Sequence, residues 1–157
     1  MDSFQIFQLQ VVLSIIVYAL IAKWYVAPRL AALPLHVALM PLLFLHAFRH
    51  LGMVFLVPTV AGSSVPDAFA FPVAYGDLVA ALLALLAIIA LRYRWPLAIA
   101  LSWLFNIEGT VDLLHAFYQG FRLRPEIGAA WYIPTFIVPA LFVTHYMIFW
   151  LLVKRSR

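Results

Sequence analysis

The chain has 157 residues, 67% of them hydrophobic and 10% charged, with a formal net charge of +4 and a mean hydropathy of +1.05. Such an apolar share lies far above that of a water-soluble domain and reads as an integral membrane protein. Cysteine is absent, which excludes disulfide scaffolds, thiol chemistry, iron–sulfur ligation and cysteine-bound zinc.

Crossing about 30 Å of hydrocarbon takes roughly 17–25 residues of helix. Five segments qualify, near residues 5–24, 35–57, 73–91, 96–117 and 130–153, so the expected fold is an all-α five-transmembrane-helix bundle forming a single domain over 1–157. The first span is the most polar, with Gln5, Gln8, Gln10, Ser14 and Tyr18, and without a cleavage signature it is expected to stay. The second carries Pro41 early. A turn from Gly62 to Asp67 lies within the break expected between Pro58 and Pro72. Near the start of the third span, Asp77 in Tyr75-Gly76-Asp77 reads as an interfacial helix start, with a role in a site as the alternative. Trp103 lies deep in the fourth span and is expected to pack in the core. The fifth holds Pro134 and Pro139, which free backbone carbonyls and bend the helix, with Tyr132, Thr135 and Thr144 as hydroxyl partners.

Basic residues favour cytoplasmic loops. Lys23, Arg29, Arg92, Arg94, Lys154, Arg155 and Arg157 fall on one side of a five-span chain, against Arg122 and Arg124 on the other, where Asp2, Asp67 and Glu126 also lie. The amino terminus is therefore expected outside and the carboxyl terminus in the cytoplasm, in a cytoplasmic membrane of bacterial type. The positive charge marks topology and not a nucleic-acid patch.

The chemistry gathers in two of the most apolar stretches. His46, Arg49, His50 and Met53 follow i, i+3, i+4, i+7 spacing on the second span, and Phe105, Glu108, Asp112 and His115 form a similar stripe on the fourth. A charge at the bilayer centre costs about 2.5–3.5 kcal/mol on insertion scales, so such groups must satisfy one another or line a polar cavity. Counting residues from the inner end puts Arg49 and Glu108 at a common depth of roughly 18–20 Å, which predicts an Arg49–Glu108 ion pair. The same arithmetic lets His145 of the fifth span face His46.

Several chemistries use these residue types. A divalent metal would draw on His46, His50, Asp112 and His115, although Arg49 on the same face repels a cation and the spacing is no metal signature. A haem would use His46 and His145 as axial ligands. A structural reading has the polar groups only joining helices. Leu43 to Phe48 echoes Asp112 to Phe117, which, as a duplication, would relate His46 to His115. The small residues Ala80, Ala81 and Ala84 offer a close-packed surface for a homodimer.

The stretch Tyr132-Ile133-Pro134 followed by Pro139 resembles the last helix of the emopamil-binding and sigma-2-type membrane domains, over that one helix alone. The resemblance implies a lipophilic ligand pocket, with Glu108 and a histidine moving protons. Two function classes lead. In one, His46, Arg49, His50, Glu108, Asp112, His115 and His145 line a proton- or ion-linked transport path or a site for a small molecule, ion or lipophilic ligand within the bilayer. In the other, Glu and His act as acid and base on a sterol- or isoprenoid-like substrate.

Overall fold

The computed structural model describes residues 1–155; Arg157, counted above among the inner basic residues, lies outside the described residues. Every regular element among them is helical. Helix α1 (Ser3–Ile21) starts on a capping box, in which the Asp2 carboxylate accepts from the Gln5 N–H at 2.8 Å and the Gln5 side chain accepts from the Asp2 N–H at 3.0 Å. A π-helical turn over Ala22–Val26 carries it into α2 (Ala27–Ala31). After Pro34, α3 (Leu35–Ala47) passes without a break into a nine-residue 3-10 helix, Phe48–Leu56. The short α4 (Pro58–Ala61) and a turn lead to the long pair α5 (Asp67–Arg92) and α6 (Ala98–Leu123). A 3-10 turn, Gly128–Trp131, and a π-helical turn, Ile133–Ile137, precede α7 (Val138–Arg155).

Among the described residues, four helical stretches are long and apolar enough to cross a membrane: Ser3–Ala31, Leu35–Leu56, Asp67–Arg92 and Gly128–Arg155. The fifth long helix, α6, is not among them; Asn106, Glu108, Asp112 and His115 make it more polar. The third helix begins earlier than expected. Pro66 precedes its first residue and Asp67 supplies the first-turn acid, so Pro72 lies inside the helix and Asp77 sits in its body, away from the end.

Two apolar cores hold the bundle together. The larger joins Leu39, Leu42 and Leu43 of α3 to Ala84, Ala87 and Leu91 of α5, Phe105 of α6, and Ile148, Leu151 and Leu152 of α7. The smaller gathers Phe55, Phe69, Val73, Ile127 and Ala130. Ala80, Ala81 and Ala84 are buried within the monomer, where their small size lets α3 and α6 approach α5, so they offer no surface to a second copy. Trp103 is half-buried and packs on Phe149. Trp131 donates from Nε1 to the Gln10 amide oxygen at 2.7 Å, tying α1 to the start of the last span. Around Pro134, the Thr135 hydroxyl donates to the Trp131 carbonyl at 2.7 Å and so satisfies backbone in the bent segment. At the opposite end, Arg155 donates to the carbonyls of Leu30, Ala31 and Leu33, closing the end of α2.

Candidate functional site

The site lies between the two cores. Along α5, Asp77 comes after Val73 of the smaller core and before Ala80, which packs with the larger. Its partner is delivered by the 3-10 helix. At three residues per turn, residues three apart line up, so His46, Arg49, Gly52 and Phe55 form one buried row. An α-helix would have brought His50 onto that face; instead His50 turns outward and its Nδ1 bonds the Ala47 carbonyl at 2.9 Å.

Arg49 is the hub. Its Nε donates to Asp77 Oδ1 at 2.8 Å, its Nη1 to the Gly109 carbonyl at 2.8 Å and its Nη2 to Asp112 Oδ2 at 2.5 Å. One guanidinium thus bolts the 3-10 helix to α5 and α6, with its own side chain 1% exposed and both carboxylates 12% exposed. The expected partner, Glu108, forms no ion pair among the described residues, and its buried Oε2 has no hydrogen-bond partner. The depth arithmetic brought α6 to the right level. The guanidinium takes the backbone oxygen of the next residue, Gly109, and the carboxylate one turn on.

Three glycines make room for this. A Cβ on Gly52 would stand 2.0 Å from Asp77 Oδ2, one on Gly76 would stand 1.7 Å from Asp112 Oδ1, and one on Gly109 would stand 2.9 Å from Arg49 Nη1 and from His145 Cε1. Each ion-pair member therefore rests against bare backbone, a close approach that only glycine permits.

Beside Arg49 lies a closed group of rings. His46 and His145 are 0% and 2% exposed, with ring centres 4.1 Å apart and Phe105 packed against both. The Thr144 hydroxyl donates to the Ala140 carbonyl at 2.9 Å, so at 3.0 Å from His46 Nε2 it accepts. Asn106 donates from Nδ2 to the His145 carbonyl at 3.2 Å, which turns its oxygen toward His145 Nδ1 at 2.7 Å as acceptor. These bonds assign the proton to Nε2 of His46 and to Nδ1 of His145, leaving His46 Nδ1 and His145 Nε2 without partners. Two imidazoles on opposite sides of one iron, each about 2 Å from the metal, would hold their ring centres roughly 6 Å apart. At 4.1 Å no iron fits between His46 and His145 as the rings stand, so the two do not form a bis-imidazole pair in this structure.

A cavity of about 530 Å³ opens beside the ion network. Phe4, Phe7, Phe55, Phe69, Phe117 and Trp131 are among its walls, Asp77 is its one deep ionisable group, and the exposed Ser3, Arg124 and Glu126 stand at its outer end. Arg124 closes α6 with a left-handed backbone, φ 45°, and its guanidinium lies 4.0 Å over the Phe4 ring.

A family model described as "Domain of unknown function (DUF8737)" matches residues 6–153. The chain belongs to that family. The DUF8737 match takes in the whole Arg49 network and all five long helices except the first three residues of α1 and the last two of α7. No curated protein and no solved structure matches the chain.

Of the residues singled out in the sequence, the structure brings His46, Arg49, Glu108, Asp112 and His145 to one region. His50 and His115 are exposed on the outside of the bundle. The metal set His46, His50, Asp112 and His115 is thereby dispersed, and among the described residues no three His, Asp or Glu groups are placed to hold an ion. The echo of His46 in His115 has no counterpart in environment, one being enclosed and the other exposed. Sequence reasoning passed over Asn106, the three glycines and Asp77 as an ion-pair member. Their signal is the pairing of glycine with a carboxylic residue inside an apolar helix, in Gly76-Asp77 and Glu108-Gly109.

Proposed function

We propose that this protein binds a lipophilic small molecule inside its helix bundle, in the aromatic cavity that ends on Asp77. The observation that carries the reading is the meeting of two features at one residue: Asp77 lines the cavity and is also held by Arg49 in the buried network. Ligand sites are mostly apolar hollows of roughly 300–1,000 Å³ with a few fixed polar groups, and this cavity matches that description in size, walls and polar floor. Arg49 positions the carboxylate, and the aromatic walls supply area for an apolar body.

The setting proposed is a five-span bundle in a cytoplasmic membrane, with the amino terminus outside. Four apolar stretches support it, and α6, as long as α5 and packed along it, is the fifth. Its carboxyl groups face the network or the edge of the bundle, as intramembrane acids do. The cavity then opens toward the outer surface.

Native mass spectrometry on protein released gently from detergent tests the binding. A lipophilic adduct is expected on the native chain and is lost in Gly120→Leu. At Gly120 a Cβ meets only Phe69 Cε2, at 3.7 Å, so Gly120→Ala fits while the larger side chain fills the cavity. An adduct retained in Gly120→Leu removes the cavity from the reading.

A further inference from the structure

We propose that the cavity takes an organic monocation with an apolar body, and that its entry releases one proton from the carboxyl cluster of Asp77, Asp112 and Glu108. This rests on the ligand-binding reading above and adds the charge of the ligand and its exchange partner.

The argument begins with a charge count. Among the described residues, the charged or titratable groups around the cluster are Arg49 from the 3-10 helix, Asp77 from α5, Glu108 and Asp112 from α6, His46 from α3 and His145 from α7, with the exposed His115 of α6 beside Asp112 at the bundle edge. Three carboxyls surround one guanidinium, which pairs with Asp77 and Asp112, while Glu108 forms no ion pair among the described residues. In a low-dielectric bundle uncompensated charge is costly, so the surplus is balanced by protons or by a bound cation. The two are then alternatives. When a monocation enters, the O–H bond of one carboxyl breaks, its proton passes to water, and the interior charge is unchanged. An anion would add to the surplus.

The walls make the same choice. Aromatic faces carry negative potential and attract cations. One already does so here: the Arg124 guanidinium lies 4.0 Å over Phe4, a wall ring. At the outer end Arg124 and Glu126 carry opposite charges, so the entrance sets up no net barrier.

Tetraphenylphosphonium and tetraphenylborate, matched in size and opposite in charge, provide the test by titration calorimetry on the detergent-purified full chain. Repeating the titration in two buffers of different protonation enthalpy counts released protons. The cation should bind at least roughly tenfold tighter than the anion, release about one proton, and lose its saturable binding in Gly120→Leu. Glu108→Gln should lower the proton count. Equal binding of both ions, abolished by Gly120→Leu, would overturn the cation inference and leave the cavity as a ligand site. Cation binding with no proton released overturns the exchange. Binding of neither ion, or binding indifferent to Gly120→Leu, overturns the cavity reading and this inference with it.

Discussion

Gly52→Ala tests whether the ion network is held by bare backbone. In an ordinary helical position the change would stabilise, because glycine is about 0.8–1.0 kcal/mol worse than alanine. Here the added Cβ would lie 2.0 Å from Asp77 Oδ2 and 2.8 Å from Asp77 Cβ. The carboxylate oxygen has to withdraw by about 1.4 Å to bring 2.0 Å up to the 3.4 Å of ordinary contact, and Asp77 Cβ blocks a simple rotation. A retreat of that size ruptures the 2.8 Å bond to Arg49 Nε. Losing one charge-assisted hydrogen bond in a buried network costs about 1.5–3 kcal/mol, more than the propensity gain, so the net effect should be a loss of roughly 0.5–2 kcal/mol. Reversible unfolding in mixed micelles, followed by far-ultraviolet circular dichroism, measures it. Gly120→Ala, whose Cβ meets nothing closer than 3.7 Å, is the control and should be neutral or slightly stabilising. A Gly52→Ala protein as stable as that control would refute the reasoning.

Other expectations concern the rings and the core. Thr144→Val removes the acceptor for His46 Nε2 and should cost about 1–3 kcal/mol, with Thr144→Ser recovering most of it in the same unfolding assay. Nitrogen-15 spectra of labelled histidine should show the proton on Nε2 of His46 and on Nδ1 of His145; Asn106→Leu should shift the second signal and spare the first. Ala84→Leu forces an isobutyl group into a position that is 0% exposed and should destabilise the monomer by about 1–3 kcal/mol, whereas the exposed Leu82 tolerates alanine.

Much of the architecture was legible because hydrophobic length is a strong signal. The expected span at 35–57 and the observed Leu35–Leu56 agree almost to the residue. The errors came where local geometry departs from the plain helix. Pro72 read as a boundary, since proline usually ends a helix, yet it is held inside α5 and the true start is marked by Pro66 and Asp67. Moving that start by about six residues moved Asp77 from the helix end to the centre of the bundle. The 3-10 helix had a similar effect. Over nine residues the periods 3.0 and 3.6 are hard to tell apart by composition, but they disagree about His50 and agree about Arg49. Nothing in side-chain spacing announces that Arg49 will take the Gly109 carbonyl. That choice follows from the absence of a side chain at Gly109, which opens a backbone acceptor at the level where the guanidinium arrives.

Stability alone does not account for the network. Replacing a buried ion pair with apolar groups of similar size is often neutral or stabilising by about 1–4 kcal/mol, whereas removing one partner alone is strongly destabilising. The triple change Arg49→Met, Asp77→Leu and Asp112→Leu should therefore unfold no more easily than the native chain, and Arg49→Met by itself should cost about 3–5 kcal/mol, because it strands Asp77 and Asp112. The triple variant keeps the aromatic walls and loses the carboxyl floor of the cavity. If the network exists to hold Asp77 at that floor, the variant folds and no longer takes up tetraphenylphosphonium. A triple variant that folds and binds as the native chain does would leave Arg49, Asp77 and Asp112 as a structural bolt and assign the ligand to the walls alone.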